Sequence, residues 1–379
     1  MRFIHLADLH LGKSVAAFPM LEEQRSLLFG QVLPAAQELE PDGVLIAGDV
    51  FDRANPSAEA LALFDDFQVA LNRLPKRPEV FVISGNHDGA ERIAYGARIL
   101  GQSGLHMSPV YDGDIRPVVM HDDYGPLDVY MLPFVRTSTV KDRFPDEEIA
   151  SENDAVAAAV RHMGIDPARR TVCLAHQFVS GATVSGAEET AVGGLDCVSA
   201  EVFDGIDYVA LGHIHRPQQI TPAIRYAGSP LKYSFAEVGH KKSLTIVDIR
   251  GKGNVSISER PLMPVHDWFD LRGTFRELAS EDFRARHPEY AQGYLRITLT
   301  DENDIIDGFK SLRAVYPLMM ELHYDNARTR ALGIGPDATT GLKTDEDFVR
   351  QLFGKQNGRE MEDREIQFIK KILECDRSN

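Results

Sequence analysis

The stretch "EVFVISGNHDGAERI", residues 79 to 93, joins an apolar run to a cluster of polar side chains. "EVFVIS" carries the β-branched and aromatic residues of a buried strand, and Gly85 follows it. Directly behind come an amide, an imidazole and a carboxylate, Asn86, His87 and Asp88. In layered α/β proteins, ligands bind at the carboxyl ends of the strands. The stretch therefore predicts one corner of a binding site at the end of a buried strand.

Similar apolar runs recur along the chain, and helical stretches at 22–39 and 57–74 separate the first of them. The runs are "RFIHLA" (2–7), "GVLIAG" (43–48), "EVFVIS" (79–84), "DVYMLPF" (128–134), "TVCLAH" (171–176) and "DYVALG" (207–212). Near-continuous hydrophobic strands that alternate with helices are typical of a sheet buried on both faces. A further pair, "KSLTIVDIRG" and "NVSISERP", predicts a hairpin that closes this domain near residue 262. The predicted fold class is layered α/β.

Five of the six runs end in side chains that can bind a metal. These are Asp8 and His10; Asp49 and Asp52; Asn86, His87 and Asp88; His176; and His213 and His215. One such motif alone is weak, because a histidine at a strand end usually satisfies a local hydrogen bond. Five of them after five strands are expected to converge in one crevice and predict a site for two metal ions.

The predicted ligands offer oxygen and nitrogen atoms without sulfur. They are Asp8, His10, Asp49, Asn86, His176, His213 and His215. Borderline divalent ions such as Mn, Fe or Zn accept this mixture, and Asp49 is the natural bridge between two of them. The three cysteines are scattered, which argues against a disulfide framework and a CxxC site. Glycines at 48, 85 and 212 are expected to turn the chain sharply after each strand.

Length and composition limit the class of protein. The 379 residues favour two domains over one, and 43% hydrophobic residues indicate a globular chain. No apolar stretch approaches the roughly 18 residues of a membrane span, so a cytoplasmic protein without a membrane partner is expected. The formal net charge of -16 counts against a nucleic-acid partner, unless cations in the cleft attract phosphate.

The chain changes character after residue 262. Strand and helix patterns alternate over residues 263–326 and predict a smaller α/β domain. Residues 327–343 have the composition of a linker. The tail, residues 344–379, carries apolar side chains at helical intervals from Phe348 to Leu373, so short C-terminal helices are predicted there.

The motifs together resemble the calcineurin-like metallophosphoesterase superfamily. "HLADLHLG" (5–12), "GDVFDR" (48–53), "GNHDG" (85–89) and "LGHIHRPQ" (211–218) carry this resemblance. "YAGSPLKYSFAE" (226–237) is similar to the nuclease subunits of bacterial complexes that process DNA ends and hairpins. The resemblance implies a calcineurin-like core over 1–262 and an Mn-dependent exonuclease and endonuclease that hydrolyses phosphodiester bonds.

The resemblance also implies roles for single residues. One ion would be held by Asp8, His10, Asp49 and His215, and the other by Asp49, Asn86, His176 and His213. His87, outside these sets, is expected to donate a proton or hydrogen bond to the leaving oxygen, with Asp88 as the carboxylate that orients it. Asp52 stands where archaeal relatives carry a second histidine, and it is the candidate for orienting the scissile phosphate.

The implied partners are DNA and a coiled-coil ATPase subunit, which the tail would grip. The implied assembly is a homodimer within a heterotetramer, and residues 263–326 would be a cap that shapes access of DNA. Two other functions stay open: a small-substrate metallophosphatase or cyclic phosphodiesterase on the same core, and a scaffold that keeps metal for structure. The tail could also pack on the protein's own cap.

Overall fold

The computed structural model describes residues 1–93, 97–108, 110–184, 197–303, 305–327 and 329, together with 353, 361 and 364–366. These residues form two compact units. The first contains Met1–Asp270, Pro288–Arg296 and Tyr316–Glu321, and the second contains Leu271–His287, Ile297–Val315 and the described residues from Leu322 onward. The predicted domain boundaries stay predictions, and nearly all of the predicted linker and tail lies outside the described residues.

The strands of the described residues are numbered in chain order. They are β1 (Arg2–Leu6), β2 (Ser14–Val15), β3 (Phe18–Pro19), β4 (Gly43–Ala47), β5 (Glu79–Ile83), β6 (Leu105–Ser108), β7 (Val118–Asp122), β8 (Gly125–Met131), β9 (Arg170–His176), β10 (Tyr208–Gly212), β11 (Gln218–Thr221), β12 (Ile224–Tyr226), β13 (Ser243–Ile249), β14 (Val255–Pro261), β15 (Trp268–Gly273), β16 (Tyr294–Leu299) and β17 (Met319–Tyr324).

The α-helices are numbered in the same way. They are α1 (Leu21–Leu27), α2 (Leu33–Leu39), α3 (Ala58–Asn72), α4 (Ala90–Ile93), α5 (Ala97–Leu100), α6 (Thr137–Arg143), α7 (Glu152–His162), α8 (Phe275–Leu278), α9 (Glu281–Arg286) and α10 (Gly308–Val315). A π-helical turn, Leu28–Val32, joins α1 to α2. Ser57 caps the start of α3 by accepting a hydrogen bond from the backbone N–H of Ala60.

The first unit contains two six-stranded sheets. Their orders are β14-β13-β1-β4-β5-β6 and β11-β12-β10-β9-β8-β7. Strands β1, β4, β5 and β6 run parallel, and so do β8, β9, β10 and β12. The antiparallel pair of β13 and β14 confirms the predicted hairpin. The six apolar runs therefore form two sheets, three runs in each.

The two sheets share one core between their inner faces. Phe3, Leu45 and Phe81 of the first sheet belong to the same buried cluster as Leu174 and Tyr208 of the second. Neighbouring side chains on these strands point to the opposite faces, which α1 to α3 cover on the first sheet and α6 and α7 on the second. This arrangement of helix, sheet, sheet and helix confirms the predicted layered α/β class.

The last strands form a three-stranded sheet of order β15-β16-β17, and α8 to α10 lie between them in the chain. This alternation of strand and helix matches the pattern predicted after residue 262. Among the described residues, no helix is long and apolar enough to cross a membrane.

Candidate metal centre

The loops behind three strands of the first sheet bring four of the predicted ligands together. Asp8 and His10 follow β1, Asp49 follows β4, and Asn86 follows β5. Asp8, His10 and Asp49 have φ angles of 54°, 44° and 49°, the left-handed region that side chains with a Cβ rarely adopt. Such backbone strain is concentrated at functional sites, where the surrounding structure holds it in place.

Two strands of the second sheet supply the remaining ligands. His176 is the last residue of β9, and His213 and His215 follow β10. His213 has a φ of 98°, and its backbone N–H donates to Asp8 Oδ1 at 2.9 Å. This bond links the two sheets at the site. The predicted convergence therefore holds, and it takes place between two sheets instead of along one.

Asp49 lies in the middle of the cluster. Its Oδ2 atom is 3.7 Å from His10 Nε2 and 3.3 Å from His176 Nε2. On one side, His10 Nε2 is 3.1 Å from His215 Nε2. A carboxylate between two groups of imidazoles has the position of a bridging ligand.

Asn86 lies on the other side of the cluster, where its Oδ1 atom is 3.1 Å from both His176 Nε2 and His213 Nδ1. The structure therefore brings all seven predicted ligands into one cluster. Among the described residues, three groups have donor atoms within 4.8 Å of one another: Asp8, His10 and His215; Asp8, Asp49 and His176; and His10 and Asp49 with His87, which is not one of the seven.

The polar atoms of this cluster fit a cation. Asp8 is fully buried, and Asp49 is 2% exposed. Among the described residues, Asp8 Oδ2 has no hydrogen-bond partner. A buried carboxylate oxygen without a partner is costly, whereas a divalent ion would satisfy it. The donor set of carboxylate, amide and imidazole suits a borderline divalent metal.

The charges of the cluster are strongly coupled. Burial raises the pKa of Asp8 to about 6, against the opposing effect of nearby imidazoles. Burial would also raise the pKa of Asp49, but the rings of His176 and His10 outweigh it and hold that pKa below its usual range. Burial lowers the pKa of His176, and the carboxylate of Asp49 more than offsets this, so that the pKa is raised to about 9. A bound cation would take the place of the proton on His176.

Backbone groups orient the ligands from behind. His176 donates from Nδ1 to the carbonyl of Ala47 at 2.8 Å, which leaves Nε2 for the site. The backbone N–H of His87 donates to Asp49 Oδ1 at 2.9 Å. These contacts fix which atom of each ligand faces the cluster.

The glycines of the motifs serve two different purposes. Gly48 has a φ of +83°, so the expected sharp turn is confirmed there. Gly85 and Gly212 do not have a positive φ, so their backbone conformation does not itself require glycine. A Cβ on Gly85 would lie 2.1 Å from Asp49 Oδ1, and one on Gly212 would lie 1.9 Å from the carbonyl oxygen of Ala47. These two positions need glycine because other groups of the site approach them closely.

Asp88 does not orient the ring of His87, and this part of the prediction is wrong. Its carboxylate accepts backbone N–H bonds from Val50 at 3.1 Å, Phe51 at 2.9 Å and Gly85 at 2.9 Å. Burial, followed by the charge of Asp49, raises the pKa of Asp88 to about 7. Asp88 therefore links the loop after β4 to the loop after β5.

The ring of His87 contacts the backbone of Asp52 instead. His87 Nδ1 is 3.1 Å from the Asp52 carbonyl oxygen, and its ring centroid is 4.9 Å from that of His10. A carbonyl accepts only, so Nδ1 carries the proton and Nε2 is left for another partner. His87 is half-buried beside the predicted ligands.

The carboxylate of Asp52 lies at the edge of the cluster and holds a cation that sequence reasoning missed. Lys13 Nζ donates to Asp52 Oδ1 at 2.5 Å, and the same oxygen is 3.7 Å from His10 Nδ1. Arg53 Nε is 3.6 Å from the second oxygen. Lys13 belongs to no motif, so only its position three residues after His10 could have pointed to it.

Glu237 and Lys242 were also missed as parts of the site. Glu237 accepts from His215 Nδ1 at 3.0 Å, and Lys242 donates to Glu237 at 2.5 Å. Burial would raise the pKa of Glu237, but Lys242 and His215 hold it at about 2. The signal for Glu237 was its place at the end of the "YAGSPLKYSFAE" segment, whereas Lys242 lies outside every motif.

Comparison with known proteins agrees with this geometry. The family model of the calcineurin-like phosphoesterases matches residues 1–217, which include every predicted ligand. The chain is also similar to the SbcD component of the nuclease SbcCD from Staphylococcus epidermidis (strain ATCC 12228 / FDA PCI 1200), with 30% identity over 326 residues, or 85% of each chain. The chain thus belongs to the calcineurin-like phosphoesterase family and, within it, to the relatives of SbcD.

Proposed function

We propose that the chain is a metal-dependent DNA nuclease that hydrolyses phosphodiester bonds with exonuclease and endonuclease activity. The observation that supports it most is the convergence of seven candidate ligand side chains, with Asp49 among them, at the strand ends of two sheets. The similarity to a component of a nuclease over 85% of the chain favours DNA as the substrate over a small phosphate ester.

Two divalent ions, Mn in our proposal, would be held in adjacent positions. The first position has Asp8, His10, Asp49 and His215, and the second has Asp49, Asn86, His176 and His213. Bound ions of this kind supply Lewis acidity, which activates water and neutralises charge that develops on the phosphate. Because the ions would also offset the acidic side chains of the cleft, the net charge of -16 does not prevent phosphate from approaching.

His87 is the proposed acid that assists departure of the leaving oxygen. Its Nδ1 donates to the Asp52 carbonyl at 3.1 Å, so Nε2 is the nitrogen that would meet the substrate, and the ring would act as an acid in its imidazolium form, with a proton on each nitrogen. The ring lies beside His10 and outside the proposed ligand sets. A positioned imidazole can donate a proton to a leaving group without holding a metal.

Asp52 would orient the scissile phosphate through Lys13. A carboxylate repels phosphate, but Asp52 holds the Lys13 ammonium at 2.5 Å beside the cluster. The side chain of Lys13 is 22% exposed, so it can reach a bound anion. Lys13 therefore offers the positive charge that a DNA phosphate needs at this edge.

The chain would act as one component of a larger assembly. The similar protein is named as a subunit of the nuclease SbcCD, so we propose an SbcC-type coiled-coil ATPase as partner. The proposed assembly contains two copies of this chain in a heterotetramer. The apolar positions of the tail, Phe348 to Leu373, would bind the ATPase, and residues 263–326 would be the cap beside the DNA.

The test compares substrates under one set of conditions. Linear duplex, hairpin and plasmid DNA and a nitrophenyl phosphate ester are each incubated with Mn, with and without the ATPase partner. We expect DNA cleavage that EDTA abolishes and that Asp49→Asn loses. Efficient hydrolysis of the nitrophenyl ester without DNA cleavage, in the presence of the ATPase partner, would favour a small-substrate phosphatase and overturn the proposal.

A further inference from the structure

The ring of His215 is held from behind by an ionised side chain in the protein interior. Glu237 is fully buried at the end of a short 3-10 turn, Phe235–Glu237. Its Oε1 atom accepts a hydrogen bond from His215 Nδ1 at 3.0 Å. This leaves Nε2 of His215 to face His10 and the cluster.

Lys242 completes the arrangement on the far side of Glu237. Its ammonium donates to Glu237 Oε2 at 2.5 Å, to Ser229 Oγ at 2.7 Å and to the backbone carbonyl of His215 at 2.8 Å. Lys242 is 5% exposed, so the ion pair lies in the interior. The pair therefore contacts both the ring and the main chain of one predicted ligand.

A buried ion pair is a poor way to stabilise a fold, because removing both charges from water costs more than their attraction usually returns. Its position behind His215 gives it another purpose. A carboxylate that accepts the second N–H of a ligating imidazole fixes the tautomer and the ring orientation and increases the basicity of the ligand.

We propose that Glu237 is a positioning residue for the ion held by Asp8, His10, Asp49 and His215, and that Lys242 compensates its buried charge. This rests on the proposed two-ion centre. Glu237 acts through His215 and would not itself touch metal or substrate.

The two proposed ion positions differ in the group that supports a histidine ligand. In the other position, His176 donates from Nδ1 to the neutral carbonyl of Ala47 at 2.8 Å. One position thus has a histidine supported by a charged carboxylate, and the other has a histidine supported by a peptide group. Removing the charge of Glu237 should therefore lower the affinity for one ion and leave the affinity for the other unchanged.

The test is calorimetric titration of metal-stripped full-length protein with Mn. Glu237→Gln keeps the length and a hydrogen-bond acceptor but removes the charge. We expect one of two Mn sites to weaken by about 10-fold to 100-fold, the range typical for such supporting groups, while the second keeps its affinity. Glu38→Gln, which removes an exposed carboxylate paired with Arg260, is the matched control and should change neither site.

A thermal melt of each metal-free variant separates positioning from folding. If Glu237→Gln lowers the melting temperature but binds both ions like the wild type, the pair is structural and the proposal fails. If the variant does not fold, Glu237→Gln with Lys242→Met, which leaves no charge unpaired, is titrated with the same expectation. If the wild type binds no Mn, the proposed function fails as well, so the two failures are distinguishable.

Discussion

Several residues of the proposed centre have a backbone conformation that is rare for residues with a side chain. Four predicted ligands, Asp8, His10, Asp49 and His213, have positive φ angles. Each such residue raises the energy of the folded chain by about 1–2 kcal/mol, which packing elsewhere must offset. The positive φ angles allow neighbouring residues of one loop, such as Asp8 and His10, to direct their side chains into the same cluster.

His87→Gln is expected to keep both ions and to slow DNA cleavage by about 100-fold or more, because its ring would donate a proton and not hold a metal. Elemental analysis gives the metal content, and single-turnover cleavage gives the rate. His121→Gln, at an exposed position on β7, is the control. Loss of an ion from His87→Gln would make His87 a ligand and contradict the role given to it.

Gly85→Ala is expected to displace Asp49, because the new Cβ would lie 2.1 Å from Asp49 Oδ1. Overpacking of this kind costs about 1–3 kcal/mol, and here we expect it to appear as weaker Mn binding. The matched control is Gly30→Ala, where the added Cβ has no heavy atom within 4 Å. Unchanged Mn affinity in Gly85→Ala would show that the Asp49 carboxylate can move away from the added Cβ without losing its contact with the metal.

The convergence of the candidate ligands could be predicted from sequence, because each of them lies at or directly after the end of a strand. The partners of His87 and Asp88 could not, because they depend on the path of two loops. Asp88 turns toward the backbone of Val50 and Phe51, while the carbonyl of Asp52 reaches the His87 ring. Lys13 and Lys242 were missed because neither lysine lies within a motif, although their partners Asp52 and Glu237 do.

At the element scale, the division into two sheets was not visible in the apolar runs. A strand buried on both faces has the same pattern whether a helix or a second sheet covers it. In β9, Val172 and Leu174 face the other sheet, and Cys173 and Ala175 face the helices. All four are apolar, so the sequence could predict the strand but not what covers each face.

The inner strand β1 also carries a titratable group into the core between the sheets. His5 is fully buried, its Nδ1 is 2.8 Å from the Tyr208 hydroxyl, and burial lowers its pKa to about 3. Between pH 6.5 and 3 the unfolded chain binds a proton at His5 that the folded chain does not. His5 therefore lowers the free energy of unfolding as the pH falls through this window, by up to about 1.4 kcal/mol per pH unit.

His5→Gln, which cannot titrate but can still bond to Tyr208, should make the pH dependence of stability shallower by that amount. Urea unfolding of metal-stripped protein at several pH values between 4 and 7 measures it. Val119→Gln, which introduces the same side chain at an exposed position of β7 and changes no titratable group, should keep the slope of the wild type. An unchanged slope in His5→Gln would mean that His5 takes up a proton in the folded state.

For the whole molecule, the formal net charge of -16 does not attract DNA, so binding of substrate and partner must depend on local features of the chain. The tail is the proposed contact with the ATPase. A chain that ends after Gly341 keeps every predicted ligand and loses the apolar positions from Phe348 to Leu373. We expect its Mn content to stay at the wild-type value and its binding to the ATPase partner to be lost, as calorimetry would show.

Phe348→Asp with Ile369→Asp should mimic the truncation, because each charge costs a few kcal/mol when buried in an interface. Gln356→Asp with Asn357→Asp adds the same charge at polar positions of the tail and should leave binding intact. Full binding by the truncated chain would reject the docking role. A large fall in melting temperature without the tail would favour packing of the tail on the protein's own cap.

In the proposed centre, five strand-end segments hold two ions, and Asp49 is shared between them. Elemental analysis of protein equilibrated with Mn and freed of excess ion tests it most directly, with wild type beside Asp49→Asn and His213→Ala. We predict two ions per chain in the wild type, fewer than one in Asp49→Asn because both positions lose their shared ligand, and about one in His213→Ala. A single ion in the wild type, or two ions in Asp49→Asn, would rule out a two-ion centre that shares Asp49.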